Sequence, residues 1–254
     1  MTKQQTYDSE TMPKAIRKLF LLHAQKPIFK KRVDVALQTI EKFLEKTENP
    51  YISVSGGKDS SVLLSLCRRV RPCLDAIYLE MHATYPQSNE LLDTYENLTR
   101  IVVADRLTQL GKVGMRGKKG KMSDDLARCQ KADPSLLSKY DGHFYGLRAD
   151  ESVARRRLYL SRGDIFFRKS DAFWVCQPIA TFRYEDVWAY IVSEGINYNT
   201  LYNLMWDRPK HAQRVASFTL TREANMGTVA SLKAQHPELF NILISKTSEF
   251  KEYI

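Results

Sequence analysis

The chain is 254 residues long, 43% hydrophobic, and carries a formal net charge of +10 with an isoelectric point near 9.4. That length can bury a full core. No apolar run reaches the roughly 18 residues of a membrane span, and the opening M-T-K-Q-Q-T-Y-D-S-E lacks a signal-peptide apolar centre; a cytoplasmic protein without membrane contact is expected.

The elements follow in chain order. Residues 13–24 and 28–46 have helical periodicity, with Val33, Leu37, Ile40 and Leu44 on one face of the second. Tyr51–Ser55 reads as a strand and Asp59–Val70 as a helix. Asp75–Met81 is a second strand, Pro86 opens a helix to about Leu98, and Ile101–Ala104 is a third strand. From Arg106 to Lys131, eight Lys/Arg stand against two acids, with Gly111, Gly114, Gly117 and Gly120 between them. This basic loop fits a solvated excursion as well as it fits nucleic-acid contact. Helices near Asp124–Lys131 and Pro134–Tyr140 follow, then strands at His143–Leu147 and Phe173–Cys176 and an amphipathic helix at Arg183–Ser193. Thr228–Ser248 carries a helical stripe of Leu232, Leu239, Phe240 and Ile244; it closes a site, forms a homodimer face or docks a partner. The alternation predicts an α/β fold, a Rossmann-like twisted and mostly parallel sheet with helices on both faces. Ligands of such sheets sit at the carboxyl ends of strands.

One of those ends reads Y-I-S-V-S-G-G-K-D-S-S, Tyr51 to Ser61. Gly56 and Gly57 let backbone N–H groups turn inward, and the following helix adds its positive end. Ser55, Ser60 and Ser61 add hydroxyls, and Lys58 adds a mobile cation. The turn suits a phosphate chain. It lacks the G-x-x-x-x-G-K-[ST] spacing of the NTPase P-loop. Gly146–Arg155, G-L-R-A-D-E-S-V-A-R, brings Arg148, Ser152 and Arg155 to the same sheet edge, where guanidinium forks suit phosphate or sulfate oxygens; surface salt bridging is the alternative. Three segments follow from this: an N-terminal helical segment 1–48, a nucleotide-binding α/β domain 49–205 and a C-terminal helical segment 206–254, or all one domain.

Taken with Gln177–Ile191 and N-Y-N-T-L-Y at Asn197–Tyr202, these motifs resemble the phosphoadenosine phosphosulfate (PAPS) reductase family of the adenine nucleotide α-hydrolase, or PP-loop ATP pyrophosphatase, superfamily. The resemblance covers residues 50–205. It implies that Ser55, Gly56, Gly57, Lys58, Asp59, Ser60 and Ser61 hold the phosphates of ATP or a related nucleotide. It also implies that Arg148, Ser152 and Arg155 bind phosphate or sulfate oxygens, and that the segment from Tyr78 to His82 approaches the adenine or ribose. Lys58 and Asp59 are the expected catalytic groups, with Asp59 orienting the loop or holding Mg²⁺.

The departures matter as much. No E-C-G-[IL]-H-like motif follows Cys176, Ala149 stands where the family has a second arginine, and His82–Thr84 replaces a D-T-G-like turn. Of the four cysteines, Cys67, Cys73, Cys129 and Cys176, none forms a C-x-x-C pair, so reduced thiols and no iron–sulfur cluster are expected. The reading is an ATP pyrophosphatase that releases pyrophosphate at the α-phosphate. It activates a nucleic-acid acceptor for sulfur incorporation, as in DNA phosphorothioation, with a sulfur-donor protein such as a cysteine desulfurase. Cys129 is the candidate relay thiol because neighbouring cations lower a thiol's pKa; an ordinary free cysteine is the alternative. A sulfonucleotide reductase and a non-catalytic nucleotide-sensing or DNA-binding regulator are the competing functions.

Overall fold

The computed structural model describes residues 11–80, 85–102, 138–169 and 172–210, with a few single positions beyond. Among them run α1 (Lys14–Ala24), α2 (Pro27–Leu44), β1 (Pro50–Val54), α3 (Lys58–Val70), β2 (Ala76–Glu80), α4 (Pro86–Asp93), β3 (Leu98–Val102) and β4 (Gly142–Phe144). After a 3₁₀ turn at Ala149–Glu151 come α5 (Val153–Arg162), β5 (Ile165–Arg168), β6 (Phe173–Cys176), α6 (Tyr184–Glu194) and a 3₁₀ helix at Thr200–Met205.

The six strands form one sheet in the order β3-β2-β1-β4-β6-β5. β1 runs parallel to β2 and β4, and β4 runs parallel to β6, with Ile52 opposite Ala76 on one side and Phe144 on the other. β5 closes the edge antiparallel to β6. The expected mostly parallel α/β sheet is therefore what forms. β1 is almost entirely buried, as a central parallel strand should be, which is why its sequence shows no clean polar alternation.

Two differences from the sequence reading have local causes. The helix opened by Pro86 stops at Asp93 rather than near Leu98, because Asn97 takes φ +47° and the chain turns directly into β3. The α5–β5 hairpin is absent from the sequence reading. α5 has no buried residue, and its apolar side chains, such as Val153 and Leu160, are interleaved with arginines, so no core-facing stripe marks it in the sequence. The helices expected at 124–131 and most of 134–140, the basic loop and nearly all of 228–248 lie outside the described residues.

The chain divides into two units. The first holds the described residues up to Tyr78 together with Gln87–Thr99 and Lys139–Val215. The second holds Leu79–Pro86, Arg100–Ser138 and Ala216–Ile254, where an ion pair joins Arg100 to Glu80 at 3.9 Å.

Within the first unit, Phe20 of α1 stacks on Trp188 of α6 at 6.1 Å, and Trp188 meets Trp206 at 4.7 Å. A buried carboxylate fixes the same junction. Asp186 is fully buried and accepts from Arg32 at 2.6 Å, from His23 Nε2 at 2.8 Å and from the Arg183 amide at 2.7 Å. Pro27 at the first turn of α2 and left-handed Gly195 after α6 mark helix ends in the usual way. Among the described residues no helix is long and apolar enough to cross a membrane.

Gly142 begins β4 beneath α2, where an added Cβ would lie 2.8 Å from Thr47 Cγ2 and 2.9 Å from Phe43 Cζ. Gly142→Ala is expected to lower unfolding stability by about 1–3 kcal/mol through overpacking, read as a lower urea midpoint at unchanged slope. An unchanged midpoint would show that α2 yields freely at this point.

Candidate functional site

The turn from β1 into α3 is shaped by its own small residues. Gly56 sits at φ +69°, where a side chain is strained, and a Cβ there would press on Ser88 at 3.4 Å. Ser60 Oγ and Ser61 Oγ donate to the Gly57 carbonyl at 2.8 and 3.1 Å. The Ser55 amide donates to Ser60 Oγ at 3.2 Å. The serine hydroxyls thus hold the turn's form, and Ser61 also meets Tyr95 Oη at 2.8 Å. Burial pushes the Tyr95 phenol up to about 12, so it stays protonated.

The amides of Gly56, Gly57, Asp59 and Ser60 have no acceptor among the described residues. Such first-turn amides at the positive end of a 13-residue helix are an arrangement that suits an anion.

The charges converge on Asp59. Its Oδ2 accepts from Lys58 Nζ at 2.9 Å and its Oδ1 accepts from Arg148 Nε at 2.5 Å. Lys58 and Arg148 are each only 4% exposed, so neither is the solvated cation that a surface position would give. Burial pushes the Asp59 carboxyl up, but the two adjacent cations outweigh it and hold the group below its ordinary value. Arg148 also donates to Asp150 at 2.7 Å and reaches Glu151 at 3.5 Å. Gly146 lets this happen: a Cβ there would lie 3.2 Å from the Asp59 carbonyl, so the chain leaving β4 passes against the first turn of α3 and delivers Arg148 two residues later.

A second layer comes from the Thr200–Met205 region. Tyr202 Oη accepts from the Lys58 amide at 3.2 Å, and Lys58 Nζ lies 5.5 Å above the Tyr202 ring. Fully buried Asn199 donates to the Gly56 carbonyl at 3.1 Å and to Ser88 Oγ at 2.8 Å. The sequence marks this segment only as the N-Y-N-T-L-Y stretch at Asn197–Tyr202. The structure places the Tyr202 ring in the core, edge-on to Trp188 at 5.2 Å. The roles of Asn199, Asp150 and Glu151 escape the sequence. An amide next to a tyrosine carries no motif until the fold sets it under the glycines.

The structure brings Ser55, Gly56, Gly57, Lys58, Asp59, Ser60, Ser61 and Arg148 together. It places Arg155 one step outward: its guanidinium pairs with Glu151. Ser152 is exposed and caps α5, its Oγ accepting from the Arg155 amide at 3.2 Å. Tyr78 is buried in β2 opposite Val54. Cys129 lies outside the described residues. Cys67 and Cys176 are buried in apolar surroundings that push both thiols well above the usual range.

The Asp59 carboxylate is engaged on both sides. Both of its oxygens face cations, and no cluster of three or more His, Cys, Asp or Glu among the described residues suits a metal. Of the two roles expected of Asp59, this arrangement displays the orienting one: it holds Lys58 and Arg148 at the turn.

The model of the phosphoadenosine phosphosulfate reductase domain matches residues 49–208, from the start of β1 through the Thr200–Met205 helix. The chain belongs to this domain family. Among its relatives, an uncharacterized protein of Methanocaldococcus jannaschii is 24% identical over 226 residues, covering 85% of this chain and 52% of that protein. An adenosine 5'-phosphosulfate reductase of Halalkalibacterium halodurans is 26% identical over 157 residues, covering 59% of this chain and 66% of that enzyme. The chain thus spans between half and two thirds of the curated relatives it matches. A solved phosphoadenylyl-sulfate reductase of Candida auris, in a phosphate complex, overlays with a TM-score of 0.48 at 17% identity, covering 76% of this chain and 93% of that one.

Asp59→Asn removes the carboxylate between two buried cations and is expected to cost about 3 kcal/mol at neutral pH. The Asp59 carboxyl is held below the ordinary 3.8. Its contribution is therefore complete above that value and lost as pH falls through the folded-state value. Urea titrations of both proteins should show the gap close in acid; a gap independent of pH would refute the ion-pair account.

Proposed function

We propose that this chain is a nucleotide-binding enzyme that cleaves ATP at the α-phosphorus. The observation that carries the reading is the pairing of two buried cations, Lys58 and Arg148, with unpaired amides on one Gly-Gly turn. This set of donors suits a chain of phosphates.

In this reading an acceptor oxygen attacks the α-phosphorus. The bond from that phosphorus to the bridging oxygen breaks, and its electron pair leaves with pyrophosphate. The acceptor's proton passes to solvent, and the product is an adenylated acceptor, or AMP when water attacks. Lys58, the α3 N-terminus and Arg148 stabilise the growing negative charge on the departing phosphates. Asp59 keeps both cations aimed before the substrate arrives. Mg²⁺ enters with the triphosphate as its counterion, and no step is assigned to a protein-held ion. The net charge of +10 supports a nucleic-acid acceptor, which adenylation would prepare for sulfur incorporation, with DNA phosphorothioation and a cysteine desulfurase partner as the specific form.

A second reading has its own support. The family and several relatives are named for sulfonucleotide reduction, and the same cations suit a phosphosulfate. It needs a thiolate nucleophile at the site. Among the described residues, Cys67 and Cys176 are buried neutral thiols, and exposed Cys73 follows the far end of α3, about 20 Å of helix from the phosphate turn; Cys129 lies outside them.

One assay separates them: purified protein with Mg²⁺, offered ATP, PAPS and adenosine 5'-phosphosulfate in turn. Pyrophosphate from ATP is expected, with Lys58→Met reducing its rate by about 10²–10³-fold, the usual effect of losing one preorganised charge donor. Sulfite from either sulfonucleotide, without ATP cleavage, would overturn the first reading in favour of the second.

A further inference from the structure

Beyond the phosphate turn, one surface is unexplained. The hairpin of α5 and β5 carries six Lys/Arg against one acid over residues 153–169, a formal +5 and half of the chain's net +10. None of its helix is buried. A ten-residue helix with only Arg155, Leu158 and Tyr159 half-buried is marginal, and arginines clustered within two turns repel one another.

The outward side of α5 is specific in composition. Val153 and Leu160, seven residues apart, are 65% and 75% exposed, and at helical spacing they form one ridge. Arg156 and Arg157 flank that ridge on either side, and neither takes part in an ion pair among the described residues. Arg162 lies 5.2 Å above the Phe166 ring, which holds its guanidinium at the hairpin's turn. Glu151 neutralises Arg155 but none of these three.

The position matters too. α5 starts at the Ser152 cap, one 3₁₀ turn beyond Arg148. A long anion docked on this hairpin begins at the rim of the phosphate site.

We propose that α5 and β5 dock the phosphate backbone of a DNA duplex. Arg156, Arg157 and Arg162 hold phosphates, and the Val153–Leu160 ridge meets the sugars between them. Single-strand grooves rely on successive aromatic platforms; here the exposed aromatic is Phe167, and its ring is already edge-on to Trp174 at 5.3 Å. The inference rests on the proposed nucleic-acid acceptor, and it names where that acceptor is held.

Fluorescence anisotropy with a short labelled duplex, over a salt series, tests it in the full chain. Wild type should bind with a steep salt dependence. The triple variant Arg156→Gln, Arg157→Gln, Arg162→Gln should bind about tenfold more weakly or worse, with the log–log salt slope reduced by about 2–3, close to one for each phosphate no longer neutralised. A control that removes equal charge from α1 and α2, Lys18→Gln, Lys30→Gln, Lys31→Gln, should stay within about twofold of wild type. Equal losses in both variants would reduce the effect to bulk charge and overturn the docking surface. So would an unchanged slope in the first variant, tighter binding of the single strand or of an acidic polypeptide than of the duplex, or no duplex binding at all. Pyrophosphate release without DNA is measured in parallel and should be equal in wild type and the triple variant. If ATP is not cleaved but the duplex result holds, the function fails and the docking surface stands; the converse result separates them the other way.

Discussion

Everything at the candidate site depends on one carboxylate held between two cations. Burying Lys58 or Arg148 alone would be prohibitive, and no other acid among their described neighbours serves both. Asp59 does, at 2.9 and 2.5 Å. Because Asp59 sits in the first turn of α3, this ion-pair network also adds negative charge at the helix's positive end, where it is favourable. The site is therefore charge-compensated before any ligand binds, and an arriving phosphate competes with Asp59, Asp150 and Glu151 for guanidinium and ammonium hydrogens.

A second constraint is closeness of backbone. A side chain would meet Ser88 of α4 at Gly56, Ser55 and Tyr202 at Gly57, and the Asp59 carbonyl at Gly146. The 3₁₀ segment completes the enclosure from the other side through Asn199 and Tyr202. The phosphate turn is thus held by hydrogen bonds from distant stretches of chain rather than by its own sequence alone.

Much of this is legible in the sequence, and the reasons are local. The glycine pair, the lysine and the serines bear their chemistry in a contiguous run, and strand β1 and helix α3 announce the turn by their periodicities. Arg148 is legible because it follows a strand in a parallel sheet. What stays hidden depends on long-range juxtaposition. Nothing in N-Y-N-T-L-Y says that its second asparagine will lie beneath Gly56, and a helix such as α5, with no buried face, gives periodicity little to detect.

The carboxylate of Asp186 has a consequence for how the chain can be shortened. It joins α1 through His23, α2 through Arg32 and the start of α6 through the Arg183 amide, with no exposure to water. Truncation just ahead of β1 would strip away both side-chain partners and leave a buried anion facing a single amide. An expression fragment trimmed to the family match would begin life with that defect. The two leading helices are thus better regarded as the foundation of the nucleotide-binding body than as an appendage to it.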